Sequence, residues 1–241
     1  MFSHFYYRSL TCALLLALPS LTGMAATNLI TNGDFSAGNT GFTSGYTFST
    51  FGNGTYTITT DPHIPYPSSI SFHDHTTGTG NLLGSDGALT ANVILWGTTA
   101  PVTVTPNTLY TFTGWQASWG NDGTNHDPDP ANLEVRVNGV GIGSSFSPSQ
   151  DGVWKQFSFN WFSGSNSTAA LTIVNLNTAA FGNDPCLDDL SFSVAPEPSS
   201  LLLVAAGTVS ILGRRRRRNP ARVLADQPAF CGHLSATTDC S

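Results

Sequence analysis

Through the middle of the chain apolar and polar side chains alternate with a period of two, a period that suits half-buried strands and not amphipathic helices. Leu133, Val135 and Val137 alternate with Glu134 and Arg136. Val153, Phe157, Phe159 and Trp161 share one face, opposite Trp154, Gln156, Ser158 and Asn160, and Leu171 and Ile173 stand opposite Thr172 and Val174. The same pattern predicts strands at Tyr46–Phe51, Thr55–Thr60, Leu89–Trp96, Val102–Thr105 and Leu109–Ala117. Clusters of Gly, Asn, Asp and Pro separate them, as in Phe51-Gly52-Asn53-Gly54 and Asn138-Gly139, the second a hairpin signal. No segment between 27 and 195 carries helical periodicity. Many short strands at regular spacing predict an all-β domain, an antiparallel β-sandwich or jelly roll over residues 27–195.

Charge narrows what this domain meets. Arg136 and Lys155 are its only cations against twelve acidic side chains, so it carries about −10 while the whole chain carries −6. Such a surface repels nucleic acid and anionic lipid, which excludes DNA and RNA as partners, and it attracts divalent cations. Cys186 is the domain's only cysteine, so no disulfide forms within it.

The two ends read as export signals. Residues 1–26 form a secretory signal peptide: Arg8 precedes an apolar core from Leu10 to Leu18, and Gly23-Met24-Ala25-Ala26 supplies small residues for signal peptidase. Cys12 lies inside that apolar core, which argues against a lipoprotein. Near the other end a second apolar run, Leu201 to Leu212, is followed at once by Arg214, Arg215, Arg216, Arg217 and Arg218. Five guanidinium groups stop translocation and stay on the cytoplasmic side. As a helix, residues 199–213 cover about 22 Å against a bilayer core of roughly 30 Å, a span suited to a temporary hold on the inner membrane.

Pro196-Glu197-Pro198 stands immediately before that run. The ordered tripeptide, apolar helix and arginine cluster over residues 196–218 resemble the PEP-CTERM sorting signal of Gram-negative bacteria. The resemblance implies recognition by a membrane-embedded exosortase, cleavage near the tripeptide, and release to the cell surface or extracellular space in company with exopolysaccharide. The family pattern ends at the basic cluster, whereas residues 219–241, with Cys231 and Cys240, continue and stay unassigned.

The domain carries a resemblance of its own. It opens with Asn32-Gly33-Asp34-Phe35 and closes with Leu187-Asp188-Asp189-Leu190, an arrangement similar to the galactose-binding-like jelly roll of many carbohydrate-binding modules. Gly38 to Ser44 and Asn177 to Ala180 match exported PEP-CTERM proteins as a group. The jelly-roll resemblance implies that the first and last strands meet and hold a structural calcium, with Asp34 and Asp188 as carboxylate ligands. Ser36 stands where the family places a glutamate, which removes one ligand. If sugar binds, Trp119, beside Gly120 and the acidic loop, and Trp154, on the more polar strand face, are the candidate platforms for a pyranose ring. Trp161 shares a face with Phe157 and Phe159 and belongs to the core. His73-Asp74-His75, with His63 upstream, is either a transition-metal site or a polar loop, and the glycines that follow favour the loop. The acidic run from Asn121 to Pro130 lacks EF-hand spacing and reads as a surface loop.

The chain carries no paired carboxylates at a placed separation, no nucleophile elbow and no full metal site. The expectation is a non-catalytic, exosortase-sorted surface or extracellular-matrix protein of a biofilm, with weak carbohydrate binding. A secreted glycan-active enzyme is one alternative. An ice-binding protein sharing the same tail is another, though Thr55, Thr57 and Thr59 form one short threonine ladder only.

Overall fold

The computed structural model describes residues 26–50, 52–120, 129–148 and 151–196. The expected signal peptide (but for residue 26), the expected membrane run, the arginine cluster and the 219–241 extension lie outside them, as does most of the acidic loop. The described residues contain thirteen strands and no helix. In chain order these are β1 (Phe42–Thr43), β2 (Thr47–Phe48), β3 (Thr55–Thr59), β4 (Leu82–Asp86), β5 (Val93–Thr98), β6 (Val102–Thr103) and β7 (Leu109–Ser118). They continue with β8 (Leu133–Val137), β9 (Val140–Gly141), β10 (Lys155–Phe162), β11 (Thr168–Ala169), β12 (Leu171–Asn175) and β13 (Pro185–Val194).

Two sheets face each other. One runs β1-β5-β12-β8-β9 and the other β10-β7-β13-β4-β3-β2, while β11 and β6 form a small separate ladder. Every pairing is antiparallel except that of β2 with β3. The core between the sheets holds Trp96, Phe112, Phe192, Leu133, Leu171 and Ile173, all buried. The Asn138-Gly139 hairpin joins β8 to β9 with φ of 52° and 78°, the two left-handed residues that a type I′ turn requires.

Strand β7 shows how the alternation becomes packing. Tyr110 and Phe112 enter the core, and Thr111, Thr113 and Trp115 point away from it. Gly114 is the third inward position. A Cβ there would lie 2.5 Å from the Phe157 ring and 2.6 Å from Leu190, so only glycine fits.

The expected strands at 55–60, 109–117 and 133–137 form almost as read, and those at 46–51 and 102–105 shrink to two residues each. The one read at Leu89–Trp96 begins only at Val93, because Asn92, at φ 67°, turns the chain first. Strand β4 is an additional strand that the alternation does not mark. Leu83 packs into the main core and Leu82 into a second one on the opposite face, so a strand buried on both sides shows no alternation. That second core, Tyr66, Leu82, Ala117, Trp119 and Cys186, lies on the outer face of the six-stranded sheet, with Phe72 and Trp154 packed against it. The 60–81 connection supplies Tyr66 and Phe72 to it. Thr55, Thr57 and Thr59 are all buried, so this ladder offers no open threonine array.

Candidate functional site

The domain's opening segment meets its last strand, although that segment is not itself a strand and the first strand, β1, pairs with β5 instead. Leu29 N donates to Phe192 O at 2.8 Å and Leu190 N to Gly33 O at 2.9 Å. Strand β13 carries a bulge here: Asp188 pairs with Trp115, but the next pair is Ser191 with Thr113. The extra residue, Asp189, takes a left-handed φ of 49°. In a regular strand, neighbours point to opposite faces; the bulge instead lets Asp188 and Asp189 both address the 60–81 connection.

His75 is what they hold. Its main-chain N–H donates to Asp188 Oδ2 at 2.8 Å, and its ring Nδ1 donates to Asp189 Oδ2 at 2.7 Å. Thr76 Oγ1 donates to the same Asp189 oxygen. The imidazole lies flat on Trp115, with centroids 3.6 Å apart and planes at 17°. Trp154 meets His75 and Phe72 edge-on, and its Nε1 donates to His73 O at 2.8 Å. Asp74 is a loop organiser, accepting from Thr77 N and Gly80 N at 2.7 Å each. Burial pushes its pKa up, but these donors outweigh that and hold it below the ordinary carboxylate value.

Asp188 has the opposite balance. It is only 1% exposed, and burial raises its pKa to about 7. The N–H groups of His75 and Asp189 favour the charged form, while the carboxylates of Asp189 and Asp74 oppose it. Asp34, exposed, accepts from Ser36 N at 3.3 Å and from Ser36 Oγ at 3.0 Å. Asp34, Asp74, Asp188 and Asp189 line one cavity of about 100 Å³. Among the described residues no three His, Cys, Asp or Glu side chains are placed to hold a metal ion together.

Of the two candidate platforms, Trp119 is buried. It stacks on Tyr66 at 4.4 Å and donates its Nε1 to Ser85 O, which makes it part of the second core. Trp154 stays half-buried beside His75. Trp161 packs on the core as expected. His73 and His75 part company: His73 Nδ1 lies 3.2 Å from Thr60 O, and His63 Nδ1 lies 2.9 Å from Ser69 O. The histidines form no common site.

Trp115, one of five tryptophans able to serve as a platform, stands on the polar face of β7 with Thr111 and Thr113, where the alternation of that strand places it. The register sets a ladder beside it. Gln156, Ser158 and Asn160 on β10 stand opposite Trp115, Thr113 and Thr111, and Ser191 and Ser193 on β13 face the same two threonines. Thr111 Oγ1 donates to Asn160 Oδ1 at 2.9 Å. The outer face thus runs from an aromatic corner, Trp154, Trp115 and His75, along rows of hydroxyls and amides.

Comparison with known proteins addresses the tail first. Residues 194–218 match the PEP-CTERM protein-sorting motif. This segment is a sorting signal. It implies processing by an exosortase, and with that export, a membrane-anchored precursor and sorting to the cell surface. No curated protein matches the chain significantly in sequence. Among solved structures, the chain overlaps the CBM22-1 xylan-binding domain from Paenibacillus barcinonensis at 15% identity and a TM-score of 0.44, over 72% of this chain and 98% of that one. It overlaps a family 16 carbohydrate-binding module at 14% and 0.42, over 68% and 99%. A Stig cyclase from Fischerella sp. TAU overlaps at 12% and 0.47, over 72% and 100%. Carbohydrate-binding modules thus stand among the structural neighbours, but overlaps this loose, with a cyclase beside the sugar binders, assign no ligand. The β-sandwich rests on the chain's own two sheets.

Proposed function

We propose that this exported, exosortase-sorted protein is a non-catalytic component of the cell surface or exopolysaccharide matrix, and that its sandwich binds a neutral polysaccharide weakly. The aromatic corner beside the hydroxyl ladder carries this reading. Sugar rings offer flat C–H faces that stack on indole, and hydroxyls that exchange hydrogen bonds with Ser, Thr, Asn and Gln. The domain's negative charge favours a neutral chain over an acidic one. Glycan-array and affinity-electrophoresis measurements on the exported protein test it. Trp154→Ala and Trp115→Ala each weaken binding by roughly tenfold, the worth of one stacked aromatic. Binding untouched by both substitutions, or none in the wild type, refutes the reading. New reducing ends on the bound polysaccharide refute the non-catalytic part.

A structural calcium at Asp34 and Asp188 belongs to the same proposal. The donors are hard oxygens lining one small cavity, and Asp188 is a buried carboxylate facing two further carboxylates, a position that calls for a proton or a cation. With two carboxylates as ligands, main-chain carbonyls and water complete the shell. The ion would brace the junction of the opening segment with β13, beneath the His75 side of the aromatic corner.

A further inference from the structure

One end of the sandwich differs from the rest in both charge and polarity. There β7 begins and β10 and β13 end, because Leu109 pairs with Phe162 and Tyr110 with Val194. The end of β8 and the start of β12 join them through Val137 and Leu171, and the short connectors bond to one another, Asn107 N to Gly164 O and Asn138 N to Ala170 O. The segments 97–109, 137–142, 160–171 and 190–196 that build this end contain no Asp, Glu, Lys, Arg or His. Four large apolar side chains stand exposed on it: Leu109, Val140, Phe162 and Val194, the second by 69% and the third by 59%. The nearest charged side chains are the ion-paired Arg136 and Glu134 of β8, beside Gly141, and the guanidinium reaches away to Asn92. Asp184, Asp188 and Asp189 lie at the start of β13, and Asp188 is about 20 Å along the strand from Val194.

The chain leaves the domain at this same end. β13 ends at Val194, Ala195 and Pro196 follow, and the apolar run starts at Leu201. Five residues reach at most about 17 Å. In the membrane-anchored precursor the bilayer is therefore within that distance of the uncharged, apolar end. Moving this end into the headgroup boundary buries apolar surface of segments that carry no charge of their own, whereas the acidic end would meet both a desolvation cost and repulsion from anionic lipid.

We propose that this end is a lipid-facing surface: while the chain is tethered, Leu109, Val140, Phe162 and Val194 rest in the interfacial layer of the phospholipid bilayer. The inference depends on the membrane-anchored precursor of the sorting reading. Each contact is weak, and the tether makes it effective by raising the local concentration of the patch at the membrane. Cleavage removes the tether, and the surface then releases.

The test uses the full chain reconstituted in phosphatidylcholine vesicles, with flotation and amide hydrogen exchange read on the same sample. Segments 97–109 and 160–171 exchange roughly tenfold more slowly in the wild type than in the Leu109→Ser/Phe162→Ser variant, independently of the protein-to-lipid ratio. Phe181→Ser removes an exposed apolar side chain beside Asp184 and leaves the protection intact. A chain that floats without this difference overturns the lipid-facing surface and leaves the sorting reading standing. A chain that fails to float overturns both. Protection that fades on dilution with lipid overturns the proposal in favour of contact between copies.

Discussion

Replacing Asp188 by asparagine probes the chemistry of the strand junction. The native carboxyl has a pKa of about 7 and the ordinary value is 3.8, so between these pH values the folded chain holds a proton that the unfolded chain has lost. Stability then falls as pH rises, by about 1.4 kcal/mol per unit, and levels off above pH 7. From pH 5 to pH 8 this amounts to about 2.5 kcal/mol, or roughly 5–10 °C in Tm for a domain of this size. The groups facing Asp188 are Asp74, Asp189 and His75. Asp74, whose pKa is depressed, loses its stabilising effect only below the ordinary carboxylate range, outside this window. Asp86, raised to about 6 by burial, adds a slope of the same sign in wild type and variant alike. The difference between the two proteins therefore isolates Asp188. The assay is thermal unfolding by circular dichroism in EDTA: wild type minus Asp188→Asn becomes more negative by several degrees from pH 5 to pH 8. The asparagine side chain also forfeits one main-chain hydrogen bond, a cost of about 1–3 kcal/mol that does not vary with pH. A difference that stays constant across this range refutes the argument that a buried, uncompensated carboxylate governs the junction.

Calcium added at pH 8 raises the wild-type Tm by selecting the charged, folded form, and Asp188→Ala loses most of the response; equal curves with calcium and with EDTA dispose of the ion. Gly114→Ala forces a methyl against Phe157 and Leu190 and costs about 1–3 kcal/mol, read as a lower midpoint in urea, and an unchanged midpoint contradicts the packing. Glu197→Ala traps an uncleaved, membrane-associated chain that retains Arg214 to Arg218 by peptide mapping in a host that has the exosortase. Identical migration of wild type and variant argues for a plain tail anchor.

Much of this protein is written locally. Strands β3, β7, β8 and β12 and the Asn138-Gly139 hairpin follow from alternation and turn chemistry, because each needs only its own residues to choose a face and a φ. The tail is more local still, since the tripeptide, apolar run and arginines act in linear order, and its match at 194–218 needs no fold. Strand β4 escaped because it is buried on both faces, which erases the period. Trp119 and Trp154 look alike in the sequence, one beside a glycine and one on a polar strand face. Their fates separate only when the 60–81 connection folds across the sheet and seals Trp119 beneath Tyr66. The pairing of His75 with Asp189 joins residues 114 positions apart and depends on one bulge in β13. Composition fixes how many carboxylates the domain carries. Which of them is buried, which faces another, and which end of the sandwich is left without charge are matters of long-range register, and these only the tertiary structure decides.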